Sequence, residues 1–530
     1  MVLRETTYHQ RGETIMAQGV LPFQYQDQNR AAGLTALAGL PAYLDLAQAA
    51  GLRDTIFRHL KVCGDKTQGW SDHQIVMALI LLNLAGGDCV ADLDKLEADE
   101  GLCQVMRRVE HYGLPRCERR LLERRWRKER RRTFASASPV FRYLAAFHAP
   151  EQEAKRQVHS AFIPKANKNL KALGKVNRDF VAFAQSRSPQ SQATLDMDAT
   201  LVDSEKNKAL WCYQHYKAYQ PFNVYWFEQD QVILSEFRDG NVPAGYQQLR
   251  LLEESLQNLP EGVEKVSVRS DTAGYQQELL RYCAEGSNER FGTIEFAIGA
   301  NVTQSFRQAV REVDEDQWFP VLRTESDGRQ HETGQQWAEV CYVPTWAGMS
   351  KDGPSYRYVA TRKLLCDQLE LPGCETAEDL DQIQAQSGEK YKVYGIVTNR
   401  DIGGNELIQW YRERCGKSEE VHAVMKDDLA GGKLPSGDFG ENAAWWGIMI
   451  LALNLNAVMK RLVLPTSWKR KRFKAIRFGL INLAGQVRER SRQLQILISP
   501  KQPAYTLLLQ IRERILALAR GGPPLTEMTD

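Results

Sequence analysis

The sequence has no Cys-x-x-Cys pair, although cysteine stands at Cys63, Cys89, Cys103, Cys117, Cys212, Cys283, Cys341, Cys366, Cys374 and Cys415. Its nine histidines form no His-Glu-x-x-His. A structural zinc site is therefore not expected. Scattered, unpatterned thiols fit a reducing cytosol better than a secreted protein. The first nine residues contain no apolar run of the signal-peptide kind. The most apolar stretch, residues 443–459, barely reaches the roughly 17 residues that span a bilayer. It also carries Asn454 and Asn456, so it is read as a buried core helix. Low-complexity segments and internal repeats are missing too. An excess of one charge sign is nearly absent, with 69 Lys and Arg against 66 Asp and Glu, net +3. The distribution of charge is therefore more informative than its sum.

What is present is an ordinary globular composition, 43% hydrophobic and 25% charged. The 530 residues allow three or four domains. Ser71-Asp72-His73-Gln74 reads as a helix cap before an apolar helix over 75–84. Gly86-Gly87 breaks that helix, and a second short one is expected over 90–97. The pair resembles a helix-turn-helix. Residues 107–132 then hold twelve Arg or Lys and four Glu. The density peaks around Arg124, Arg125, Trp126, Arg127 and Lys128, a composition suited to a phosphate backbone. Further helices are expected over 139–148 and 165–185, with a polar boundary at 186–192.

From Thr194 the period changes to two. Strands are expected over 194–200, 223–227, 232–238 and 265–270, with helices over 242–256 and 274–284. That order describes a mixed α/β domain. Strand-like runs continue at 293–298, 337–343, 355–361 and 391–398. Helix is expected again from about 406 and throughout 440–520. A second basic cluster, Lys469-Arg470-Lys471-Arg472-Phe473-Lys474, lies in that tail.

Three acidic sites stand out. Asp196 and Asp198 share one face of a strand. Asp271 follows a strand, at the end where α/β domains place ligands, or where an acid caps a helix. Glu419, with Glu420 as its rival, lies seven residues before Lys426. The Gly416-Lys417-Ser418 triplet is not a phosphate-binding loop, because Tyr411 stands where the glycine would be needed. Two Asp on adjacent strands and a Glu on a later helix can converge on two divalent ions, which would serve phosphodiester chemistry.

These residues carry a resemblance. Trp70-Ser71-Asp72, the run 84–88, Leu195-Asp196-Met197-Asp198-Ala199-Thr200, Arg269-Ser270-Asp271, the runs 396–400 and 411–426, and 440–446 occur in the order seen in bacterial insertion-sequence DDE transposases. The chain looks most like their thirteen-eighty group, which carries a Y-R-E-K signature. The resemblance implies an α/β ribonuclease-H-like catalytic core over 193–291 and 391–440, with a β-rich insertion over 292–390. All-helical regions would flank it: a DNA-binding region over 1–150, a linker over 151–192 and a C-terminal domain over 441–530.

It also implies Asp198, Asp271 and Glu419 as catalytic ligands of two Mg²⁺ (or Mn²⁺) ions. Tyr411, Arg414 and Lys426 would contact DNA near the cut strand, and Arg124, Arg125, Arg127 and Lys128 would contact it elsewhere. The signature spacing is Y-x2-R-x3-E-x6-K; here the middle interval is one residue longer, and Ser418 sits where Glu would fall. Gly416 can absorb that residue, with Ser418 capping the helix that carries Glu419. Trp318, Trp337 and Trp346 are expected either in the core or stacked on displaced bases. His215 and His422 are read as structural or DNA-facing. The expected partners are duplex DNA, as inverted repeats and target, and a second copy of the chain on paired ends. No membrane or small-molecule substrate is expected, and the location would be the bacterial cytoplasm, at the nucleoid. A nuclease without strand transfer and a catalytically inactive DNA-binding protein are the alternatives.

Overall fold

The computed structural model describes residues 17–18, 24–25, 33–64, 69–120, 132–325, 328–344, 346, 356–365, 381–385, 388–491 and 493–521. The strands of its main sheet are β1 (Gln192–Ala199), β2 (Phe222–Trp226), β3 (Gln231–Glu236), β4 (Lys265–Ser270), β5 (Glu295–Ala300), β6 (Phe319–Thr324), β7 (Gln330–Val340), β8 (Arg357–Leu364), β9 (Gln382–Gln384) and β10 (Lys390–Thr398). The helices that matter most are α1 (Asp72–Ala85), α2 (Lys168–Arg187), α3 (Gln248–Asn258), α4 (Gln277–Ala284), α5 (Gly404–Arg412), α6 (Lys417–Ala423), α7 (Phe439–Val458) and α8 (Ala504–Ala519).

The sheet runs β6-β7-β8-β10-β5-β4-β1-β2-β3, with β9 also paired to β10. β1, β4 and β5 are parallel neighbours, while β2 and β3 return antiparallel. Period-two alternation gives the sheet two different faces. Leu195 and Met197 of β1 join Val266 and Val268 of β4 in one core with α3 and α4. Asp196 and Asp198 point the other way, toward α5 and α6. On that face the register aligns Asp196 with Tyr225 and with Arg269, and Arg269 with Ala297.

The stretch expected to be an insertion is continuous with the core sheet. β5 lies inside 292–390 yet pairs in parallel with β4, and β6–β8 extend the same sheet through β10. A purely sequential reading missed this, because β5 and β10 are antiparallel partners separated by about a hundred residues of chain.

The flanks also depart from the all-helical expectation. The tail contains an antiparallel hairpin, Gly485–Arg490 with Gln493–Leu497, and Gly485 and Gln486 pair with Thr35 and Leu34 near the other end. Val487 is buried, and Leu494 and Ile496 are half-buried, a spacing that fits a strand face. The two ends share one hydrophobic core. α7 packs on α1 and α2, and buried Leu79, Leu82, Val176, Phe180, Trp446 and Leu455 belong to the same cluster. α2 is therefore a core helix, where Asn177 Nδ2 donates to Val232 O (3.0 Å) and Asn454 Nδ2 donates to Asn177 Oδ1 (2.8 Å).

α7 with its π-helical end is long and apolar enough to cross a membrane, but 89% of its most apolar window is buried inside the protein. The 443–459 stretch is thus a core helix, as its asparagines suggested. α1 begins with the expected cap: Gln74 N donates to Ser71 Oγ (3.3 Å) and Ser71 N to Gln74 Oε1 (3.1 Å). It ends at Gly86, φ 98°, a conformation that glycine adopts without strain.

Candidate active site

Arg269 organises the base of the site. Nε donates to Asp196 Oδ1 (2.6 Å) and Nη2 to Asp196 Oδ2 (3.0 Å), a bidentate pair buried at 0% and 1% side-chain exposure. Nη1 donates to Trp410 O (2.5 Å) and Glu413 Oε2 (3.0 Å). The guanidinium also lies over the rings of Phe227 and Trp410. One side chain thus joins β1, β4 and the end of α5. Tyr411 adds a second tie: its hydroxyl donates to Ser270 O (3.1 Å) and shares a hydrogen bond with the Tyr394 hydroxyl (2.7 Å).

Two residues past Asp196, Asp198 stands at the carboxyl end of β1. The register that aligns Ser270 with Met197 brings Asp271 level with it. Asp271 Oδ1 accepts from Ala273 N (3.0 Å), so this acid caps a short turn as well as facing the site. Its Oδ2 has no hydrogen bond among the described residues. Arg414 Nη2 lies 3.4 Å from Asp198 Oδ2. The Asp198 carboxyl is pushed up to about 7, first by burial and further by the Asp271 and Glu419 carboxylates, against the pull of Arg414. Asp198 therefore feels both of the other acids. Arg414 is buried, and its Nε has no partner among the described residues.

The helix carrying Glu419 starts at Lys417, earlier than a Ser418 cap would give. Gly416 is its cap, at φ 79°, a conformation unfavourable for a side chain. Glu419 folds back to accept from Gly416 N, so this carboxylate caps its own helix. Asp198 is raised first by burial, then by Asp271 and Glu419, whereas Glu420 is among the lesser charges acting on Tyr225 and Lys460, behind burial and Asp230.

The other expected residues are placed as follows. Tyr411 is 2% exposed and held by protein partners, so it braces the site instead of presenting itself to DNA. Lys426 sits in a π-helical turn, Val424–Asp428, and its Nζ donates to Leu201 O (3.3 Å). His422 lies 3.5 Å from Asn223, the cross-strand neighbour of Asp198. Burial, with Lys426 and Arg414 nearby, lowers His422 to about 4, which leaves a neutral imidazole at neutral pH. His215 occupies an exposed turn.

Trp318, Trp445 and Trp446 are buried. Trp337 packs on the α5 cluster, and Trp346 packs beside Tyr275 and Tyr356. Arg124, Arg125, Arg127 and Lys128 lie outside the described residues, as does the rest of 121–131. The helix pair expected as a helix-turn-helix does turn by 92°. Its first helix, α1, is buried nearly all round, which leaves it no free face for a DNA groove, and the second, Leu93–Ala98, exposes Asp94, Lys95 and Ala98.

Arg269 and Tyr394 were missed by the sequence reading. A charge inside Val-Ser-Val-Arg-Ser was a usable signal for Arg269, since a buried arginine needs a buried acid.

The donor set fits a hard divalent cation: three carboxylates, no sulfur or imidazole at the centre, and a free oxygen on Asp271. Among the described residues, the clusters with ligand atoms within 4.8 Å of one another are Asp88/Cys89/Asp92 and His148/Glu153/Asp438. The three acids form no such closed cluster. Both closed clusters already hold protein cations, Lys95 and Lys433 in the first, Arg156 and Lys208 in the second.

Acids at the carboxyl ends of adjacent parallel strands, above a buried Arg269–Asp196 pair, put negative charge where α/β sheets bind ligands. The family described as Transposase DDE domain group 1 matches residues 28–520, and the chain belongs to it. The protein is a DDE transposase, an enzyme of DNA cleavage and strand transfer. No curated protein matches the chain. Solved structures similar at low level include two transposase complexes. A piggyBac transposase synaptic complex with hairpin DNA is 9% identical, with a TM-score of 0.36, covering 92% of this chain and 84% of that one. A Drosophila P element transposase strand transfer complex is 15% identical, with a TM-score of 0.19, covering 53% and 51%. The family match carries the assignment without them.

Proposed function

We propose that the protein performs cut-and-paste transposition, with Asp198, Asp271 and Glu419 as its catalytic carboxylates. The observation that carries this reading is the placement of Asp198 and Asp271 side by side at the ends of parallel β1 and β4, with Glu419 among the like charges that raise Asp198. Asp196 is already committed to Arg269, which favours Asp198 as the ligand. Glu419 is preferred over Glu420 on the same electrostatic ground.

Two Mg²⁺ or Mn²⁺ ions held there would activate the attacking oxygen and stabilise the leaving one. Arg414, with its unpartnered Nε, holds a non-bridging phosphate oxygen of the cut strand. Lys426 is the second cation for that strand. Hydrolysis at the element end frees a 3′-hydroxyl, which then attacks target DNA.

The further proposals rest on the Y-R-E-K resemblance. The substrates are terminal inverted repeats, the enzyme acts as a homodimer on paired ends, and it belongs to the thirteen-eighty group of insertion sequences. Its location is the bacterial cytoplasm, at the nucleoid.

The test is excision of a marker placed between the gene's own flanking ends, with the protein supplied in trans. The native protein should excise it, while Asp198→Asn, Asp271→Asn and Glu419→Gln should bind DNA without excising. Cutting of DNA that lacks the ends, equally fast, would favour a plain nuclease. Binding without any metal-dependent product would favour an inactive DNA-binding protein.

A further inference from the structure

The run Lys469-Arg470-Lys471-Arg472-Phe473-Lys474 puts five cations into six residues. On an open helix such a run is ordinarily a solvated face. Here it is folded into two single-turn helices, Thr466–Lys469 and Phe473–Ile476, followed by a π-helical turn, Arg477–Ile481. The underside is clamped. Phe473, Ile476, Leu480 and Ile481 are buried in the core shared by the two chain ends. Arg477 donates to Leu84 O (3.0 Å), to Asn83 O (3.0 Å) and to Asp428 O. Gly39 lies so close to the Leu480 carbonyl that a Cβ would come within 1.7 Å of its oxygen.

Arg472 is already used. It pairs with Asp428 (2.9 Å) and Asp427 (3.3 Å), and Asp428 also accepts from Lys474 N (3.1 Å). These bonds fasten the cluster to the π-helical turn that carries Lys426, whose amine reaches the strand connection just after Asp198. On the outer side, Lys469, Arg470 and Lys474 are exposed and have no ion pair among the described residues. Lys471 lies 3.6 Å from the Trp468 ring centroid. Phe478, next to the clamped Arg477, is 82% exposed.

Like charges held together on a rigid support repel one another until an anion arrives. A phenyl ring kept in water on the same support gains by stacking on a base. We propose that Lys469, Arg470, Lys471 and Lys474 bind the phosphate backbone of DNA beside the cleavage site, and that Phe478 stacks on an unpaired base there. This deepens the DNA-transposase assignment and rests on it.

The experiment is fluorescence anisotropy with two labelled probes of arbitrary sequence, a blunt duplex and the same duplex with a single-stranded overhang, titrated across salt. The full-length protein is compared with the Lys469→Gln/Arg470→Gln/Lys474→Gln variant and with Phe478→Ala. Losing three phosphate contacts should flatten the salt slope of log K by about three and weaken binding at least about tenfold at low salt. Phe478→Ala should weaken binding to the overhang probe alone, with the slope unchanged.

Native slope and affinity in the triple variant would overturn the backbone contact. Equal effects of Phe478→Ala on both probes, or none on either, would overturn the stacking contact. If the triple variant melts early, the single Lys469→Gln and Lys474→Gln variants replace it, each expected to remove about one unit of slope. Failure of the native protein to bind either probe would instead count against DNA as the partner, and Asp198→Asn, which should bind but not cut, separates binding from chemistry.

Discussion

Arg269 and Asp196 form a two-point, fully buried ion pair directly beneath the acids of the site. It fixes β1 against β4 and, through Trp410 O and Glu413, positions the end of α5. Breaking such a pair from one side leaves a buried charge without compensation, at about 3–5 kcal/mol. Asp196→Ala should therefore lower urea stability by that order. Asp196→Leu with Arg269→Met should be milder, because both charges leave together. Equal losses in the two variants would contradict this role.

Asp198, Asp271 and Glu419 should behave in the opposite way. Their neutral isosteres relieve crowded negative charge, so stability should hold or rise. Cleavage should fall by about a thousandfold or more, the equivalent of several kcal/mol of lost transition-state stabilisation. A single-turnover assay on a DNA end, run beside thermal melts, checks both halves.

Tyr411→Phe removes the hydrogen bonds to Ser270 O and to Tyr394. The expected cost is about 0.5–1.5 kcal/mol, measured by denaturant melts. DNA affinity should be unchanged, since the side chain is buried.

Gly404 opens α5 against Trp337 of β7, and a Cβ there would come within 2.1 Å of the indole. Gly404→Ala should cost about 1–3 kcal/mol by overpacking. Calorimetric melting would show it, and Gly403→Ala, which meets nothing, is the control.

His73 packs its ring on Phe57 (6.0 Å between centroids), and burial, helped by Arg53, lowers it to about 3. The unfolded chain takes up that proton near 6.5. Stability supported by the neutral ring is thus present above pH 6.5 and lost as pH falls toward 3. Between pH 7 and 4 the native protein should lose more urea stability than His73→Gln. Parallel losses would contradict the shift.

Much of this was legible in the sequence where one local pattern decided the outcome. Strand β1 follows from the alternation at 194–200, the cap of α1 from Ser71 and Gln74, and the buried α7 from an apolar run with two asparagines. The misses share a cause: each depended on a partner far away in the chain. β5 joined the sheet through β4 and β10, and the 485–497 hairpin gained its third strand from residues 34–35. Asp196 and Asp198 share a strand face, and Arg269 alone separates their roles. Glu419 and Glu420 are adjacent, and only the direction of each side chain distinguishes them.

The central claim is that Asp198, Asp271 and Glu419 together form the metal site. Mn²⁺ binding followed by electron paramagnetic resonance tests it most directly, on the native protein and on Asp198→Asn, Asp271→Asn and Glu419→Gln. The account predicts two ions per chain for the native protein and a loss of binding in each variant, with folding intact. Native binding retained in all three variants would contradict it.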